Sequence, residues 1–344
     1  MTSPGRPSMR AQAPSDLASL AIEPDFDFDS AEYGALFARA RASAFQHPDW
    51  LAPFYRHLMR PPVAEPLVVV GRDAAGALAL VVPLLRRLGP NVSIEYAFLG
   101  VTDYALPVVA PELNLREIPH LPARFRQVLG RHDTLRIEPV RQQDAPLWRA
   151  LLGAAPDTLD FGAHDLACDG GYAACRGRIF AGGKAAVLDR KIRRLAARGA
   201  LRLDRLAGGE VGAAMLAARQ FRRGRFKDDP MQRDDFHAFY VEVAERGARS
   251  GLARTYRLSS GGETVAVLFG LIDGDRFCYL VLGCDYASFG KFSPGMIMFD
   301  DAMRDWFGSG GAVFDFTIGD EAFKAAFGCR RTAMLCFRGD GAAA

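Results

Sequence analysis

The chain has 344 residues, of which 49% are hydrophobic and 24% charged, with a formal net charge of +3. These are ordinary values for a folded chain long enough for two domains, and they exclude both a disulfide-stapled miniprotein and a chain too polar to collapse. The longest apolar run, from Ala77 to Leu85, is interrupted by Pro83 and is too short to cross a bilayer as a helix.

In chain order, residues 1–25 hold four prolines, Arg6, Arg10 and one short apolar patch, too little for a secretory core, and they read as the flexible tail of a cytoplasmic protein. Two lobes are expected after it, over 26–165 and 166–340. In the first, strand-like runs at 66–70 and 77–84 flank the turn-rich 71–76 and predict a hairpin. Extended stretches follow at 92–99 and 106–109, and the loop-rich 141–170 is expected to hold the crossing between lobes. The second lobe opens with helical patterns at 184–198, 210–223 and 235–249, the last closed by Gly251. Runs at 254–258, 264–271 and 277–282, parted by Gly-rich turns, predict an antiparallel meander. A helix over 294–307 places Phe299, Ala302, Met303 and Trp306 on one face. A strand at 312–317, a short helix at 322–327 and a strand at 332–337 complete the pattern. Strand, helix, strand requires a crossover, so the strands flanking the 294–307 helix are expected to be parallel neighbours.

Cys168, Cys175, Cys278, Cys284, Cys329 and Cys336 form no C-x-x-C and read as free thiols in a reducing compartment. No metal-ligand spacing, P-loop, nucleophile elbow or dinucleotide fingerprint occurs, so no metal site is proposed. Charge is unevenly spread: between Arg176 and Lys227 fifteen Lys and Arg face three acids, Asp189, Asp204 and Glu210. Such a segment is either a solvated helix face or a site for an anion such as cofactor phosphates, a lipid headgroup surface or tRNA.

The segment around 283–297 carries the chemistry. A strand ends at Gly283-Cys284-Asp285-Tyr286, and Ser293-Pro294-Gly295 opens a helix with an N-cap, a first-turn proline and a glycine that lets a ligand approach. The amides of Gly295, Met296 and Ile297 are then expected to face outward at the positive end of the helix dipole, an anion site suited to a pyrophosphate, with Lys291 beside it. Ser-Pro-Gly is also a common way simply to start a helix.

These residues resemble the GNAT acyltransferases. Gly283-Cys284-Asp285-Tyr286, Ser293-Pro294-Gly295 and the run from Phe314 to Lys324 look like the CelD/BcsL-type acetyltransferases of bacterial polysaccharide synthesis. The similarity reaches back through 188–206 and 262–266 and, in the first lobe, through 45–51 and Asp103-Tyr104. One departure stands out: Gly290-Lys291-Phe292-Ser293-Pro294-Gly295 replaces the Arg/Gln-x-x-Gly-x-Gly/Ala loop of ordinary members. Kinship of that type with Fem aminoacyl ligases implies an α/β (α+β) fold of tandem GNAT-like lobes, each a mostly antiparallel sheet flanked by helices. It also implies acyl-CoA as co-substrate.

Acylating an amine needs a base, a stabilised oxyanion and a proton for the leaving thiolate. Asp285 and Asp320 are the expected bases, Tyr286 an alternative proton donor, and Lys324, four residues after Asp320, either a charge stabiliser or half of a structural ion pair. Asp103 and Tyr104 are expected to line the acceptor site, with a turn-capping role for Asp103 as the alternative; His47 and His237 are read as structural or surface residues, with His237 kept as a further candidate substrate contact. Twenty-four phenylalanines, most after residue 220, form a core or an acyl tunnel. The reading is an N-acyltransferase acting on an amino sugar or a long-chain, sphingoid-type base, cytoplasmic or peripheral to an anionic inner-membrane surface. A Fem-like transferase using aminoacyl-tRNA and a non-catalytic accessory factor are the rivals.

Overall fold

A computed structural model describes residues 17–61, 64–168 and 171–341. Leu17–Ile22 is strand β1, followed by helices α1 (Ala31–Arg39) and α2 (Pro48–Leu58) and strands β2 (Ala64–Asp73), β3 (Leu78–Arg87), β4 (Ser93–Tyr96) and β5 (Val108–Val109). Helix α3 (Leu121–Leu129), strand β6 (Thr134–Arg141), helix α4 (Ala145–Leu152) and strand β7 (Asp157–Ala167) come next. Of the tail expected over 1–25, residues 1–16 lie outside the described residues. Residues 17–22 depart from that expectation by pairing with β2, because Leu17 is buried against Gly71, where a Cβ would sit 2.6 Å from Leu17 Cδ1.

The second half contains α5 (Tyr172–Ile179), α6 (Lys184–Ala196), β8 (Leu201–Arg205), α7 (Glu210–Arg222), α8 (Asp234–Ser250), β9 (Ala253–Ser260), β10 (Glu263–Asp273) and β11 (Arg276–Cys284). After these come α9 (Tyr286–Phe289), α10 (Pro294–Gly308), β12 (Val313–Ile318), α11 (Ala322–Ala326) and β13 (Arg330–Asp340). Helix α8 shows why such segments fold as they do. Asp234 and Asp235 sit in its first turn, Gly251 caps it at φ 85°, and Phe236, Phe239, Tyr240, Val243 and Gly247 fall on one buried face.

The two lobes repeat one plan. Strands β1 to β4 run antiparallel and β6 returns parallel to β4 after α3; strands β8 to β11 run antiparallel and β12 returns parallel to β11 after α10. The predicted meander and parallel crossover are therefore present. The last strand of each lobe is exchanged. The sheet order is β1-β2-β3-β4-β6-β13-β7-β12-β11-β10-β9-β8, so β7 lies against β12 while β13 lies against β6, and the two pair with each other. The 165/166 boundary thus falls inside β7, and the segment expected as a loop-rich crossing is α4 and a strand.

Helices α7 and α8 cover one face of the second-lobe sheet, and α5, α6 and α10 the other, over a core of Phe277, Phe299, Phe314, Phe316 and Phe327. Between the lobes α2 packs on α8: the Trp50 ring lies 4.9 Å from Phe239 and its Nε1 donates to Thr102 Oγ1 at 3.1 Å. His47 has the structural role read from sequence, its Nδ1 accepting from the Asp49 amide at 3.0 Å to cap α2. The all-free-thiol expectation is corrected: Cys168 and Cys175 form a disulfide because the first turns of α5 bring Cys175 back over the end of β7. Cys278, Cys284, Cys329 and Cys336 are free. Among the described residues no helix is long and apolar enough to cross a membrane.

Because Trp50 is fully buried between the lobes, Trp50→Ala is expected to lower the unfolding free energy by about 3–5 kcal/mol, measured by denaturant unfolding. The exchanged strands predict that both lobes unfold in one transition in that experiment.

Candidate active site

Strands β11 and β12 are paired only at Arg276–Val313, Phe277–Phe314 and Cys278–Asp315. Beyond that point they part. Strand β11 continues along β10 to Cys284, whereas β12 follows β7 through an irregularity between Asp315 and Ile318, where Thr317 adopts φ 58°. A cavity of about 570 Å³ fills the wedge. Its walls come from Tyr279, Leu280 and Leu282 of β11, Phe316 and Thr317 of β12, Met296 and Phe299 of α10, and from Gly100, Val101 and Asp103 of the first lobe.

Parting two strands strips carbonyls of ladder partners, and buried carbonyls must be satisfied some other way. Three side chains do so here. Lys324, buried on α11, donates through Nζ to Ile318 O at 2.6 Å and Gly319 O at 3.0 Å and pairs with Glu321 at 2.9 Å. Thr317 Oγ1 donates to Tyr279 O at 3.3 Å. Arg222, at the end of α7, donates to Leu282 O at 3.0 Å while its fork holds the buried Asp229 at 2.9 Å. Helix α7 lies close enough for this because residue 283 is glycine: a Cβ there would meet the Ala218 backbone at 2.6 Å.

Asp103 is the carboxylate that faces this cavity from the first lobe, with only 8% of its surface exposed. Burial pushes its carboxyl up to about 7, against the opposing pull of the Thr317 hydrogen bond and Lys324. A carboxylate poised near neutrality in a cleft is suited to take and give a proton at physiological pH.

The residues expected from sequence separate into two groups. Tyr286, Gly295, Met296, Lys324 and Asp103 line the cavity. Asp285 does not: it caps α9, accepting from the Ser288 amide at 2.9 Å. Asp320 also lies outside, because Gly319 turns the chain at φ 106° and delivers its side chain to Arg331 at 2.8 Å and His164 at 2.7 Å. Hydrogen bonds from Arg331 and then His164 hold its carboxyl well below the usual range. The expected Asp320–Lys324 pair is therefore replaced by Glu321–Lys324. Tyr104 is buried behind the wedge, donating to Asp315 Oδ2 at 2.7 Å, and His237 sits on α8 near the Met215 backbone, away from the lining.

At the start of α10, Ser293 takes φ 57°, and its carbonyl accepts from Met296 N at 3.0 Å and Ile297 N at 3.3 Å. Those two amides are thus not bare as expected; among the described residues only the Gly295 amide of the three has no protein acceptor. Gly295 faces the cavity, and a Cβ there would come within 3.1 Å of Tyr286 Oη. Lys291 is exposed beside this turn. Lys191 of α6 donates to Ser293 Oγ at 2.6 Å and, with Lys184, lines an outer groove of about 430 Å³ that shares Met296 with the cavity. From sequence, Lys191 and Arg222 stand only within a basic run and Glu321 only within the run from Phe314 to Lys324, none with a role, and Asp229 carries no local motif.

Residues 182–325 match the family described as acetyltransferase (GNAT) domain, a span that holds every second-lobe element of the wedge. No curated protein matches the chain in sequence. Solved structures similar over nearly the whole chain include FemX (12% identity, TM-score 0.59, 88% of this chain and 94% of that one). L-PGS from Bacillus licheniformis is similar at 11% identity and TM-score 0.56, over 90% of this chain and 91% of that one. A protein of unknown function from Bacteroides thetaiotaomicron is similar at 10% identity and TM-score 0.58, over 92% and 99%. At such identities the likeness is one of fold, and it is a mixed, mostly antiparallel sheet flanked by helices.

Removing the buried Lys324 ammonium leaves two part-buried carbonyls and Glu321 unmet, so Lys324→Met is expected to cost about 2–4 kcal/mol in denaturant unfolding, whereas the exposed Asp320→Asn changes it by less than about 1 kcal/mol. The raised Asp103 carboxyl has the opposite pH signature to a salt-bridged one: its fold is most favoured when protonated and loses stability as pH rises from the unfolded value toward about 7. Asp103→Asn is therefore expected to raise the melting temperature at about pH 8 and to leave it nearly unchanged at about pH 4.

Proposed function

We propose that the protein is an N-acyltransferase that moves an acyl group from an acyl-CoA thioester to an amine. The observation that carries this reading is the cavity at the parting of β11 and β12, bounded at one side by the Gly295 amide of α10 and at another by the buried carboxyl of Asp103. The residues present suit a phosphate-bearing carrier: the α10 N-terminus with its dipole, Lys191 hydrogen-bonded to Ser293, and Lys184 and Lys291 nearby. When bound, the thioester supplies an activated acyl carbon. Past Cys278, alternate backbone amides of β11 face the wedge with no strand beside them, where they can donate to a developing oxyanion. Asp103 accepts the proton that the attacking amine must lose, and the Tyr286 hydroxyl, beside Gly295, is placed to donate one to the departing sulfur.

The acceptor belongs to the amino-sugar or long-chain-base class. The wall of Phe299, Phe316, Phe323 and Leu282 favours the apolar alternative on either substrate, because a small polar sugar would leave that surface without a partner. A second reading, transfer of an aminoacyl group from tRNA, is supported by cations of the 176–227 segment that have no carboxylate partner among the described residues, including Arg178, Arg190 and Arg193. A non-catalytic role accounts for the cavity less well, since it gives a buried carboxyl near neutrality nothing to do.

Titration calorimetry with CoA, acetyl-CoA and palmitoyl-CoA is the direct test: saturable binding of at least one thioester is expected, and absence of all binding removes the reading. A requirement for charged tRNA, with activity falling steeply with salt, would establish the second reading instead. With an amine acceptor in hand, Asp103→Asn is expected to lower turnover at least about hundredfold and to abolish a rise in rate through about pH 7. Asp285→Asn and Asp320→Asn are expected to stay within about threefold of wild type, since neither side chain reaches the cavity.

A further inference from the structure

The mouth of the cavity has a surface character unlike the rest of the molecule. Phe226 is 51% exposed and Tyr286 40%, two of five large apolar or aromatic side chains that stand out into solvent among the described residues. Both lie on the cavity rim. Arg225 and Lys227 share that rim, and Arg223 adjoins it. None of these three cations meets a carboxylate among the described residues, whereas Arg219 and Arg222, one turn earlier, are paired with Asp234 and Asp229. On the far side of Tyr286, Arg198 lies over the Phe289 ring at 4.9 Å, and Lys291 lies over Phe292 at 5.2 Å. The nearby acids are Asp228, exposed in the same turn, Asp229, held by Arg222, Glu321, exposed but paired with Lys324, and Asp285, occupied in capping α9.

The placement of the arginines decides between polyanions. The Arg222 guanidinium covers the face of Phe226 at 4.4 Å, and Arg225 covers Tyr286 at 3.8 Å. With one face of each ring taken by a guanidinium, less aromatic surface is left for nucleobases to stack on, which disfavours a single-stranded nucleic acid. Ring edges flanked by cations instead suit the boundary of a bilayer, where aromatics settle at headgroup level and Lys and Arg meet anionic lipid.

We infer that the rim formed by residues 223–227 and Tyr286 seats on an anionic bilayer surface, with Phe226 entering the headgroup layer, so that an amphiphile can pass from the membrane directly into the cavity. The inference stands on the rim and does not require the acyl-transfer reading.

The test is cosedimentation of the full chain, without any thioester, with vesicles of phosphatidylcholine alone or with about a third phosphatidylglycerol. Binding to the anionic vesicles is expected to exceed that to the neutral ones at least about tenfold, and Arg223→Ala, Lys227→Ala and Phe226→Ala are each expected to weaken it about fivefold. Leu88→Ser, which removes a 38%-exposed side chain on the other lobe, is expected to leave binding unchanged. Equal or absent binding to the two vesicle types overturns the inference, as does an equal loss in Leu88→Ser. Binding that survives Phe226→Ala and is displaced by tRNA overturns it in favour of a nucleic-acid surface. Failure here with intact thioester binding leaves the transfer reading standing, and the reverse outcome leaves the membrane surface standing.

Discussion

Everything at the candidate active site follows from the separation of two parallel strands that begin as neighbours. Three residue pairs hold β11 to β12 through Cys278 and Asp315, and then each strand follows a different partner. The gap costs ladder hydrogen bonds, and the fold answers with side chains: Lys324 gathers the carbonyls at the end of β12, Thr317 reaches across to Tyr279, and Arg222 meets Leu282. Each of these borders the cavity, so the groups that keep the wedge open also set its polarity. Lys324 is thereby committed to the scaffold, and its charge reaches the cavity through the pull it exerts on the Asp103 carboxyl.

Asp103 comes from the other lobe, and what brings it there is the exchange of β7 and β13. With each lobe's last strand pairing across to the opposite half, the sheet runs unbroken from β1 to β8 and fixes the loop after β4 against the mouth of the wedge. Burial there raises the Asp103 carboxyl toward neutrality against the pull of Thr317 and Lys324. A lone second lobe would have the cavity and the start of α10 without this carboxyl. The repeated strand–helix–strand plan therefore serves two ends: the second copy makes the cavity, and the first closes it with an acid.

Much of the second lobe was legible because its signals are local. Turn residues between apolar runs marked β9, β10 and β11, helical spacing marked α8 and α10, and the order strand, helix, strand required a parallel return. The first lobe was harder: β6 and β7 gave no clear pattern, since their burial depends on β13, a strand about 200 residues from β6 and about 170 from β7 in sequence. Site residues divided in the same way. Tyr286, Gly295 and Met296 sit on the motif that pointed to them, while Asp285 and Asp320 looked equivalent to Asp103 by residue type and were separated only by which way the backbone turned.

The sequence by itself determined the class of elements, the crossover around α10, the glycine-bearing helix start and the concentration of cations between 176 and 227, because each depends on residues close together in the chain. Only tertiary structure decided which carboxylate faces the cavity, that Lys324 pairs with Glu321, that Cys168 and Cys175 are joined, and that the last strands change places. Those outcomes are set by long-range pairing and desolvation, quantities that no local pattern of residues contains.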